Sequence, residues 1–534
     1  KVWNPYGPEG DRAFLEMPED WDQFGPFMEA ALALIPQLGE TGIQRFMNGP
    51  ESFTADTRPY IGETPEVDGL YVAAGMNSVG IMSSAGIGDV LADWIATGAE
   101  PRDLWGVDIA RADPLAATDA HMQERMREAV SDLFAVHWPF KQPTAGRGLR
   151  RSPLHEHWAA QGAVFGLTVG WERGLWYART DAERDLPYSV SGAQPWQPFA
   201  QREAAMMAHG AVLLDLTPFT KIDVSGPAAL ALLNHLAAAQ MDAPVGRAIY
   251  TPLLNDHGGI EADVTVTRLA SDVFRVVSGA ATRRRDLALL RRASQGSDTR
   301  IVDRTEDFCV IGVMGAAARG VLSALSSDDW CGFPFATARP VTLAGVSCIA
   351  TRLSYVGELG WEITLANAQA GTVFDALIGQ GARPMGHYAL NACRIEKGYR
   401  HWGHDLGPEI TPLEAGLGFT IDWSKGFRGK AALERQKQQG VTQRLVLLSV
   451  AGNPLIVHDE PVLEDGKVAG LTTSGAQGAR TGLTLALALV KVEPHETAAQ
   501  TAGRNFEVDI AGTRYGAVVL ARPPFDPRGE RMTA

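Results

Sequence analysis

The stretch LNDHGGIEADVTV, residues 254–266, is the part of the sequence that decides the fold. Asn, Asp, His and two glycines form its first half and are typical of a tight turn, whereas the β-branched residues after Asp263 are typical of a strand. We therefore expect Asp263 at a strand end, where a carboxylate can enter a cavity. From the residues alone, Asp263 is either a site carboxylate or a turn cap, and Asn255 is either a site residue or a turn former.

Three further stretches downstream carry the same kind of pattern, a glycine turn or helix beside charged and aromatic residues. They are SYVGELGWE (residues 354–362), RIEKGYR (394–400) and PLEAGL (412–417). Together with residues 254–263, and in this order, they resemble the tetrahydrofolate-binding fold of the glycine-cleavage aminomethyltransferase.

That resemblance implies roles for individual residues. Glu362 would accept two parallel N–H bonds from the amide-like edge of the pterin ring, a pattern that suits a carboxylate. Tyr355 would pack on the site and offer its hydroxyl. Asp263 would be catalytic, orienting the N5/N10 region of folate and stabilising positive charge as the one-carbon unit is captured. Arg394 would pair with the glutamate carboxylates of folate, or lie in a structural ion pair with Glu396 or Glu358, and Asn255 would complete the folate site.

The N-terminal third carries a second resemblance. GPESFTAD (residues 49–56), PYIGE (59–63) and the turn GMNSVG (75–80) resemble the C-terminal piece of the flavin-containing amine dehydrogenases of the dimethylglycine and sarcosine dehydrogenase family. GRGLRRSPLHE (146–156), followed by GWER (170–173), resembles the junction in the same family. The resemblance implies FAD as a cofactor, with the backbone of four residues of the turn facing the flavin ring: Gly75, Asn77, Ser78 and Gly80.

The expected fold is therefore α+β and multidomain. A C-terminal piece of a flavin amine-oxidase-type α/β domain (residues 1–105) precedes a central connector (106–153). An aminomethyltransferase-like folate-binding domain (154–435) and a small β-rich C-terminal domain (436–534) follow. Spacing predicts a helix over 20–38, a buried strand over 69–75, a helix over 81–97 and short strands at 445–450, 467–473 and 515–520.

Composition excludes several classes of function. A net charge of −14 disfavours nucleic-acid binding, and no apolar run is long enough to span a membrane. The arginine runs at 283–285 and 291–292 are interpreted as a solvated helix face. Four cysteines without metal-ligand spacing favour a reducing compartment, the cytoplasm or, in a eukaryote, the mitochondrial matrix. The pair His401 and His404 has no acidic or cysteine partner at ligand spacing, so it predicts a hydrogen-bonding or surface role and no metal site.

Two departures from the family bear on these expectations. The chain opens at Lys1 without Met, and we expect the family's dinucleotide fingerprint and flavin-attachment histidine to precede it, so the chain as written should bind folate but hold FAD weakly. Ala262 stands where the stand-alone aminomethyltransferases have a second acidic residue beside Asp263. The amine dehydrogenases generally share that loss.

The expected activity is oxidative N-demethylation of a small methylated amino acid, dimethylglycine or sarcosine, with transfer of the one-carbon unit to tetrahydrofolate to give 5,10-methylene-tetrahydrofolate. An electron-transfer flavoprotein would be the partner of a dehydrogenase, whereas an oxidase would return the electrons to oxygen. Two alternatives stay open: a folate-dependent transferase subunit that needs a separate flavin chain, and a non-catalytic homologue like the regulatory subunit of pyruvate dehydrogenase phosphatase.

Overall fold

The computed structural model of the protein describes residues 15–135 and 138–534. The opening residues from Lys1, on which the expectation about the start of the chain rests, lie outside this part. Within it, no helix combines the length and the apolar character that a membrane crossing requires.

The N-terminal segment, residues 15–105, consists of two helices and a two-stranded antiparallel sheet. In order these are α1 (Trp21–Leu34), β1 (Tyr60–Glu63), β2 (Tyr71–Ala74) and α2 (Gly80–Thr97). Asp20 caps α1, because its carboxylate accepts a hydrogen bond from the backbone N–H of Gln23, and a left-handed Gly98 ends α2. Both predicted helices are present.

The predicted strand at 69–75 is shorter than expected, and the expectation that it is buried is wrong. Among the described residues β2 pairs only with β1, and Ala73 and Ala74 are exposed. An apolar run bounded by glycines is compatible with a buried strand and also with a strand of a two-stranded sheet. The run does not indicate how many strands lie beside it.

The connector, residues 106–153, holds helix α3 (Asp119–Leu133) against an extended chain. Glu128 on α3 accepts hydrogen bonds from the backbone N–H groups of Thr144 and Ala145, both at 2.8 Å. Arg147 then forms an ion pair with the buried Glu172 of the next domain. This pair fixes the connector to the hairpin that follows it, residues 163–177.

The segment expected to form the folate-binding domain, residues 154–435, is called the folate-type domain below and is built on two antiparallel sheets with helices packed against them. It begins with α4 (His155–Ala160) and the hairpin β3 (Ala163–Thr168) and β4 (Trp171–Tyr177). The remaining elements, in chain order, are α5 (Gln197–Met206), β5 (Val212–Asp215), β6 (Thr220–Ser225), α6 (Ala229–Leu236), β7 (Ala248–Leu254), β8 (Ile260–Ala270), β9 (Val273–Ser278), α7 (Arg283–Ser294), β10 (Arg300–Asp303), β11 (Phe308–Met314), α8 (Ala318–Ala324), β12 (Ala338–Leu343), β13 (Val346–Thr351), β14 (Gly360–Ala366), α9 (Ala370–Gly379), β15 (Arg383–Pro384), α10 (His387–Glu396) and α11 (Lys430–Gln439).

The first sheet has the order β10-β6-β9-β8-β7, and the second has the order β12-β13-β14-β11-β5-β15, in which only β15 pairs in parallel.

Each sheet buries one face in its own hydrophobic core. The first sheet packs on α6 and α7 through residues such as Val264, Val266 and Leu233. The second sheet packs on α8 and α9 through Ile311, Trp361 and Ile363, while its opposite face meets α5 and α10. Helix α10 therefore lies inside the molecule, with Cys393 fully buried, as expected for a core residue.

The C-terminal domain is a closed six-stranded barrel, which confirms the small β-rich domain predicted from the sequence. Its strands are β16 (Gln443–Val450), β17 (Pro461–Glu464), β18 (Lys467–Gln477), β19 (Thr484–Lys491), β20 (Asn505–Ile510) and β21 (Thr513–Val519), with α12 (Ala498–Ala502) before β20 and α13 (Glu530–Thr533) at the end. The strands pair around the barrel in the order β16-β19-β18-β17-β20-β21. Arg480, in the β18–β19 loop, forms an ion pair of 2.7 Å with the fully buried Glu396 of α10 and so fixes the barrel to the folate-type domain.

The arginine runs of α7 are not the solvated face that their charge suggested. Arg285 pairs with both Glu100 and Glu261, and its guanidinium lies over the Trp402 ring, 5.0 Å from the centroid. Arg284 and Arg292 reach the N-terminal segment as well. The sequence of a helix with Leu and Arg residues is the same whether its arginines face solvent or another domain. The acidic residues that would distinguish the two cases lie far away in sequence.

Candidate active site

The Asp263 carboxylate lies within strand β8, as its fourth residue, rather than at the strand end that the sequence suggested. Side chains alternate along a strand, so Ala262 and Val264 enter the apolar core while Asp263 points to the opposite face. Ala262 is 2% exposed in that core. An acidic residue at position 262 would have to be buried among aliphatic side chains, which gives a physical reason for alanine here.

Tyr250, on the neighbouring strand β7, is the immediate partner of Asp263. It lies opposite Thr265 in the register, on the diagonal of Asp263, and its hydroxyl donates a hydrogen bond of 3.2 Å to Oδ2. Burial raises the pKa of Asp263 to about 6, although the Tyr250 hydrogen bond opposes that rise. The carboxyl group can therefore hold or release a proton near neutral pH, which is the property that proton transfer needs.

Tyr355 lies close to this pair, in the loop before β14. Its hydroxyl donates a hydrogen bond of 2.8 Å to the backbone carbonyl of Arg400, and its ring stacks on Tyr399 with centroids 5.9 Å apart. Burial raises its pKa further above the ordinary range, and the charges of Asp263 and Asp405 act on it as well. The structure thus brings Tyr355 and Asp263 together, with the Tyr355 hydroxyl bound to backbone and its ring forming a wall.

Glu362 lies on the second sheet, on strand β14. Its neighbours Trp361 and Ile363 enter the core between the second sheet and helices α8 and α9. Glu362 therefore points to the opposite face of the sheet, where Leu214 and Tyr355 also lie. None of the hydrogen bonds or ion pairs among the described residues involves its carboxylate. Burial raises its pKa to about 7, and the charge of Lys221 opposes that rise. An enclosed carboxylate with free acceptor capacity can receive two N–H donors from a ligand.

These four side chains keep accessible surface although the protein surrounds them. Tyr250 keeps 37% of its surface accessible, and Asp263, Tyr355 and Glu362 also remain partly accessible. Burial nevertheless dominates the pKa of all four, as it does at the accessible His401, whose pKa falls to about 3. Accessible surface together with strong desolvation is what a deep internal cavity produces.

Two predicted site residues have other contacts. Arg394 pairs with the buried Asp405 at 2.6 Å and donates to the carbonyl of Tyr399, so its ion-pair partner is neither Glu396 nor Glu358. Asn255 accepts hydrogen bonds from the N–H groups of His257 and Gly259 and donates to the Pro408 carbonyl. These contacts occupy the Asn255 amide within its turn, and they favour the turn-forming alternative.

The flavin-side turn has the backbone form that its glycines suggested. Gly75, Asn77 and Ser78 all have positive φ, and Gly80 begins α2. Asn77 is 3% exposed, and its side chain accepts a hydrogen bond of 2.9 Å from the Thr54 N–H. A Cβ on Gly75 would lie 2.4 Å from Cγ2 of Thr54, so glycine is required there. The turn therefore presents its backbone at the start of α2 and fits a role beside a flavin ring, with Gly75, Asn77, Ser78 and Gly80 as the residues that would face it.

Sequence reasoning missed Tyr250, because a tyrosine near the start of a strand gives no local sign of its partner. The available signal was its position on a strand paired with the Asp263 strand, at the alternation that puts both side chains on one face. It also missed Arg173 and His387, each of which has a buried nitrogen without a hydrogen-bond partner. Over residues 15–135 and 138–534 there is no group of three or more His, Cys, Asp and Glu side chains arranged to hold a metal ion.

Four family models match the chain in sequence order. They are the FAD dependent oxidoreductase (residues 6–94), the FAD dependent oxidoreductase central domain (97–152), the GCVT N-terminal domain (154–425) and the glycine cleavage T-protein C-terminal barrel domain (443–526). The GCVT model alone covers half of the chain.

Curated relatives match over nearly the whole chain. The 4-methylaminobutanoate oxidase (formaldehyde-forming) of Paenarthrobacter nicotinovorans is 39% identical over 97% of this chain and 63% of its own length. Mouse mitochondrial sarcosine dehydrogenase is 32% identical over 96% of this chain and 61% of its own. The mouse regulatory subunit of pyruvate dehydrogenase phosphatase is 31% identical over 95% of this chain and 60% of its own. The chain thus spans about three fifths of the length of these relatives.

A solved structure gives the same fold for the C-terminal part. The glycine cleavage system aminomethyltransferase T from Bartonella henselae superposes with a TM-score of 0.62 at 24% identity, over 71% of this chain and 99% of the other. At that identity the likeness shows the fold alone. Together with the family models it confirms the expected architecture, FAD oxidoreductase segments followed by an aminomethyltransferase fold and a small β-barrel.

Proposed function

We propose that the chain, which belongs to the glycine cleavage T-protein family, acts in oxidative N-demethylation coupled to folate. Segments that match FAD oxidoreductase models precede the T-protein domain, and sarcosine and dimethylglycine dehydrogenases are among the relatives of the chain. The proposed substrate is a small N-methylated amino acid, dimethylglycine or sarcosine. The one-carbon acceptor is tetrahydrofolate, and the product is 5,10-methylene-tetrahydrofolate. The observation that carries the proposal is that Asp263, Tyr250, Tyr355 and Glu362 remain partly accessible although burial dominates the pKa of each.

FAD, when bound, would supply the two-electron oxidation that converts the N-methyl group into an iminium. Gly75, Asn77, Ser78 and Gly80 would face the flavin ring through their backbone. In the folate-type domain, Glu362 would accept two N–H bonds from the pterin edge and so orient the ring. Tyr355 would form a wall of the site.

Asp263 would serve the transfer itself. N5 of tetrahydrofolate attacks the iminium carbon, the bond from that carbon to the amine breaks, and N10 closes the new ring. Two N–H protons leave the folate in this exchange, one going to the departing amine and one to solvent. The Asp263 carboxylate would stabilise the positive charge and relay a proton, because its pKa of about 6 allows both protonation states near neutral pH. Tyr250 would hold the carboxylate in place.

The test is a product partition with the flavin-loaded enzyme, N-methylamine and reduced tetrahydrofolate. We expect wild-type protein to deliver its one-carbon units mainly as 5,10-methylene-tetrahydrofolate. Asp263→Ala should lower that fraction by roughly a hundredfold, in favour of free formaldehyde, with folate affinity within a few-fold. Asp256→Asn is a matched control, because Asp256 lies in the adjoining turn and its side chain is 69% exposed. Unchanged partition in Asp263→Ala would contradict the proposed role.

Two further candidates follow from the relatives. The likeness to the phosphatase regulatory subunit favours a non-catalytic regulator, for which a chain that is folded but binds no tetrahydrofolate would be the expected result. A transferase subunit with flavin on a separate chain would show that chain in native mass spectrometry of the complex. We further propose a cytoplasmic or mitochondrial-matrix location and, for a dehydrogenase, an electron-transfer flavoprotein as electron acceptor.

A further inference from the structure

Arg173, on strand β4, is an enclosed arginine without a charge partner. Its Nε is buried and makes no hydrogen bond, and none of the ion pairs among the described residues includes it. Burial lowers the pKa of its guanidinium, and the Tyr388 hydroxyl is the neighbour that opposes the effect. The residue nevertheless keeps some accessible surface, although its Nε is buried.

Other enclosed arginines of the described chain have partners, and those without an ion pair, such as Arg352 and Arg400, donate to backbone carbonyls. Arg394 pairs with Asp405, and Arg285 pairs with Glu100 and Glu261. Glu172, the acidic residue next to Arg173, is bound to Arg147 on the other side of the hairpin. A buried charge without a partner costs free energy, and a protein that keeps one usually uses it on a ligand.

A second unpartnered polar group lies next to Arg173. His387 is the first residue of α10, and its buried Nε2 has no hydrogen-bond partner. A hydrogen bond with the backbone carbonyl of Asp215 engages the ring on its other side. The nitrogen that bonds a carbonyl must carry the proton, so Nε2 is a free acceptor that requires a donor. Burial and the charge of Arg173 both lower the pKa of His387, which keeps its ring neutral. The start of α10 packs directly on β4, the strand of Arg173, because Gly386 lies against the backbone of Leu175 and Trp176.

Helix α10, which begins at His387, packs with Leu214 and Tyr355 on the face of the second sheet to which Glu362 also points. The charge of Arg173 acts on His401 as well as on His387, and the charges of Asp405 and Arg394 also act on His401. Asp405 in turn acts on Asp263 and on Tyr355. Arg173 and His387 therefore lie on the same side of the second sheet as Glu362, the proposed pterin acceptor.

We propose that Arg173 and His387 form a recognition site for a carboxylate with a neighbouring N–H donor, an inference that rests on the proposed function. The guanidinium binds the carboxylate through two parallel N–H bonds, and Nε2 of His387 accepts the N–H of the same ligand. Two molecules of the proposed reaction carry this combination. One is tetrahydrofolate, through its glutamyl carboxylate and benzoyl amide, and the other is the demethylated amino acid.

The experiment is a set of calorimetric titrations of the intact chain with three probes. They are reduced tetrahydrofolate, tetrahydropteroate, which lacks the glutamate, and sarcosine. The variants are Arg173→Met, which keeps the length and removes the charge, and Arg173→Lys, which keeps the charge without the planar fork. Arg184→Met is the control, because Arg184 is a surface arginine whose side chain is 45% exposed.

Arg173→Met is expected to weaken one carboxylate probe roughly ten- to a hundredfold, with Arg173→Lys in between and Arg184→Met unchanged. A loss confined to tetrahydrofolate, with tetrahydropteroate unaffected, identifies the folate tail as the ligand. A loss confined to sarcosine identifies the amino acid. Equal binding of all probes by wild type and Arg173→Met would overturn the inference. Failure of wild-type protein to bind either pterin would instead reject the proposed function.

The unfolding temperature without ligand gives an independent readout. Removal of an unpartnered buried charge should leave Arg173→Met at least as stable as wild type. A lower unfolding temperature, or a variant that fails to fold, would show that the chain itself compensates the charge and would overturn the inference.

Discussion

The hydroxyl of Tyr250 donates a 3.2 Å hydrogen bond to Asp263 from the adjacent strand of the same sheet. This bond favours the ionised form of a carboxylate whose burial raises the pKa to about 6. One diagonal contact between β7 and β8 therefore lowers the pKa that burial raises, and so extends the pH range in which the carboxylate is charged.

Tyr250→Phe should move the pH dependence of one-carbon transfer. Loss of the hydrogen bond removes a stabiliser of the carboxylate, so the pKa of Asp263 rises and the acid limb of the profile moves to higher pH. The measurement is the rate of 5,10-methylene-tetrahydrofolate formation between pH 5 and pH 8, roughly the range around the Asp263 pKa. Tyr399→Phe is the control, because the Tyr399 hydroxyl contacts Met532 and not Asp263. An unmoved midpoint in Tyr250→Phe would contradict the account.

Tetrahydrofolate affinity should rise with pH through the titration of Glu362. The carboxylate accepts pterin N–H donors only when it is ionised, and its pKa in the free protein is about 7. Affinity should therefore increase about tenfold between pH 6 and pH 8 in wild-type protein. In Glu362→Gln it should be weaker and independent of pH over that interval, as measured by calorimetry. A wild-type affinity that does not change with pH would argue against Glu362 as the pterin acceptor.

The same carboxylate should reduce stability at high pH. The folded protein keeps the proton of Glu362 up to about pH 7, whereas the unfolded chain releases it near its ordinary value of 4.5. The unfolded state binds fewer protons between these values, so stability falls as pH rises through the interval and stays lower above it. Glu362→Gln should therefore gain on the order of 1–3 kcal/mol relative to wild type at pH 8, and little at pH 4. Thermal unfolding at both pH values checks this, and an equal difference at both would contradict it.

Arg285 should hold the N-terminal segment to the folate-type domain. Its side chain is 10% exposed and pairs with Glu100 on one side and Glu261 on the other. Arg285→Met leaves two enclosed carboxylates uncompensated and should cost about 3–5 kcal/mol of stability. Arg291→Met, at an exposed position of the same helix, should cost less than about 0.5 kcal/mol. Chemical denaturation followed by limited proteolysis near residue 100 measures both effects. Equal stability of the two variants would show that the ion pairs do not hold the interface.

Local patterns predicted much of this architecture. Both N-terminal helices, the turn before Asp263 and the β-rich C-terminal domain follow from spacing and from turn-forming residues. Patterns of this kind depend only on residues that are close in sequence. They therefore predicted strands at or near Asp263 and Glu362 but not the residues that lie beside these two side chains in the fold.

What the sequence did not predict depends on contacts between distant residues. The ion pair of Arg394 with Asp405 joins α10 to a loop, and the role of Arg285 depends on Glu100, which lies in another domain. Tyr250 became a site residue only when strand pairing placed it beside Asp263, and Arg173 and His387 came together only when α10 packed on β4. An unpartnered guanidinium is a property of the folded protein, since every arginine in a sequence looks equally free.

The most direct test of the central claim is a calorimetric titration of this chain with reduced tetrahydrofolate, beside its Glu362→Ala variant. The account predicts micromolar binding at one site per chain and a loss of at least about tenfold in the variant, because the pterin edge would lose its acceptor. A folded wild-type chain that binds no tetrahydrofolate, or a variant that binds it equally well, would contradict the folate site on which the proposed function rests.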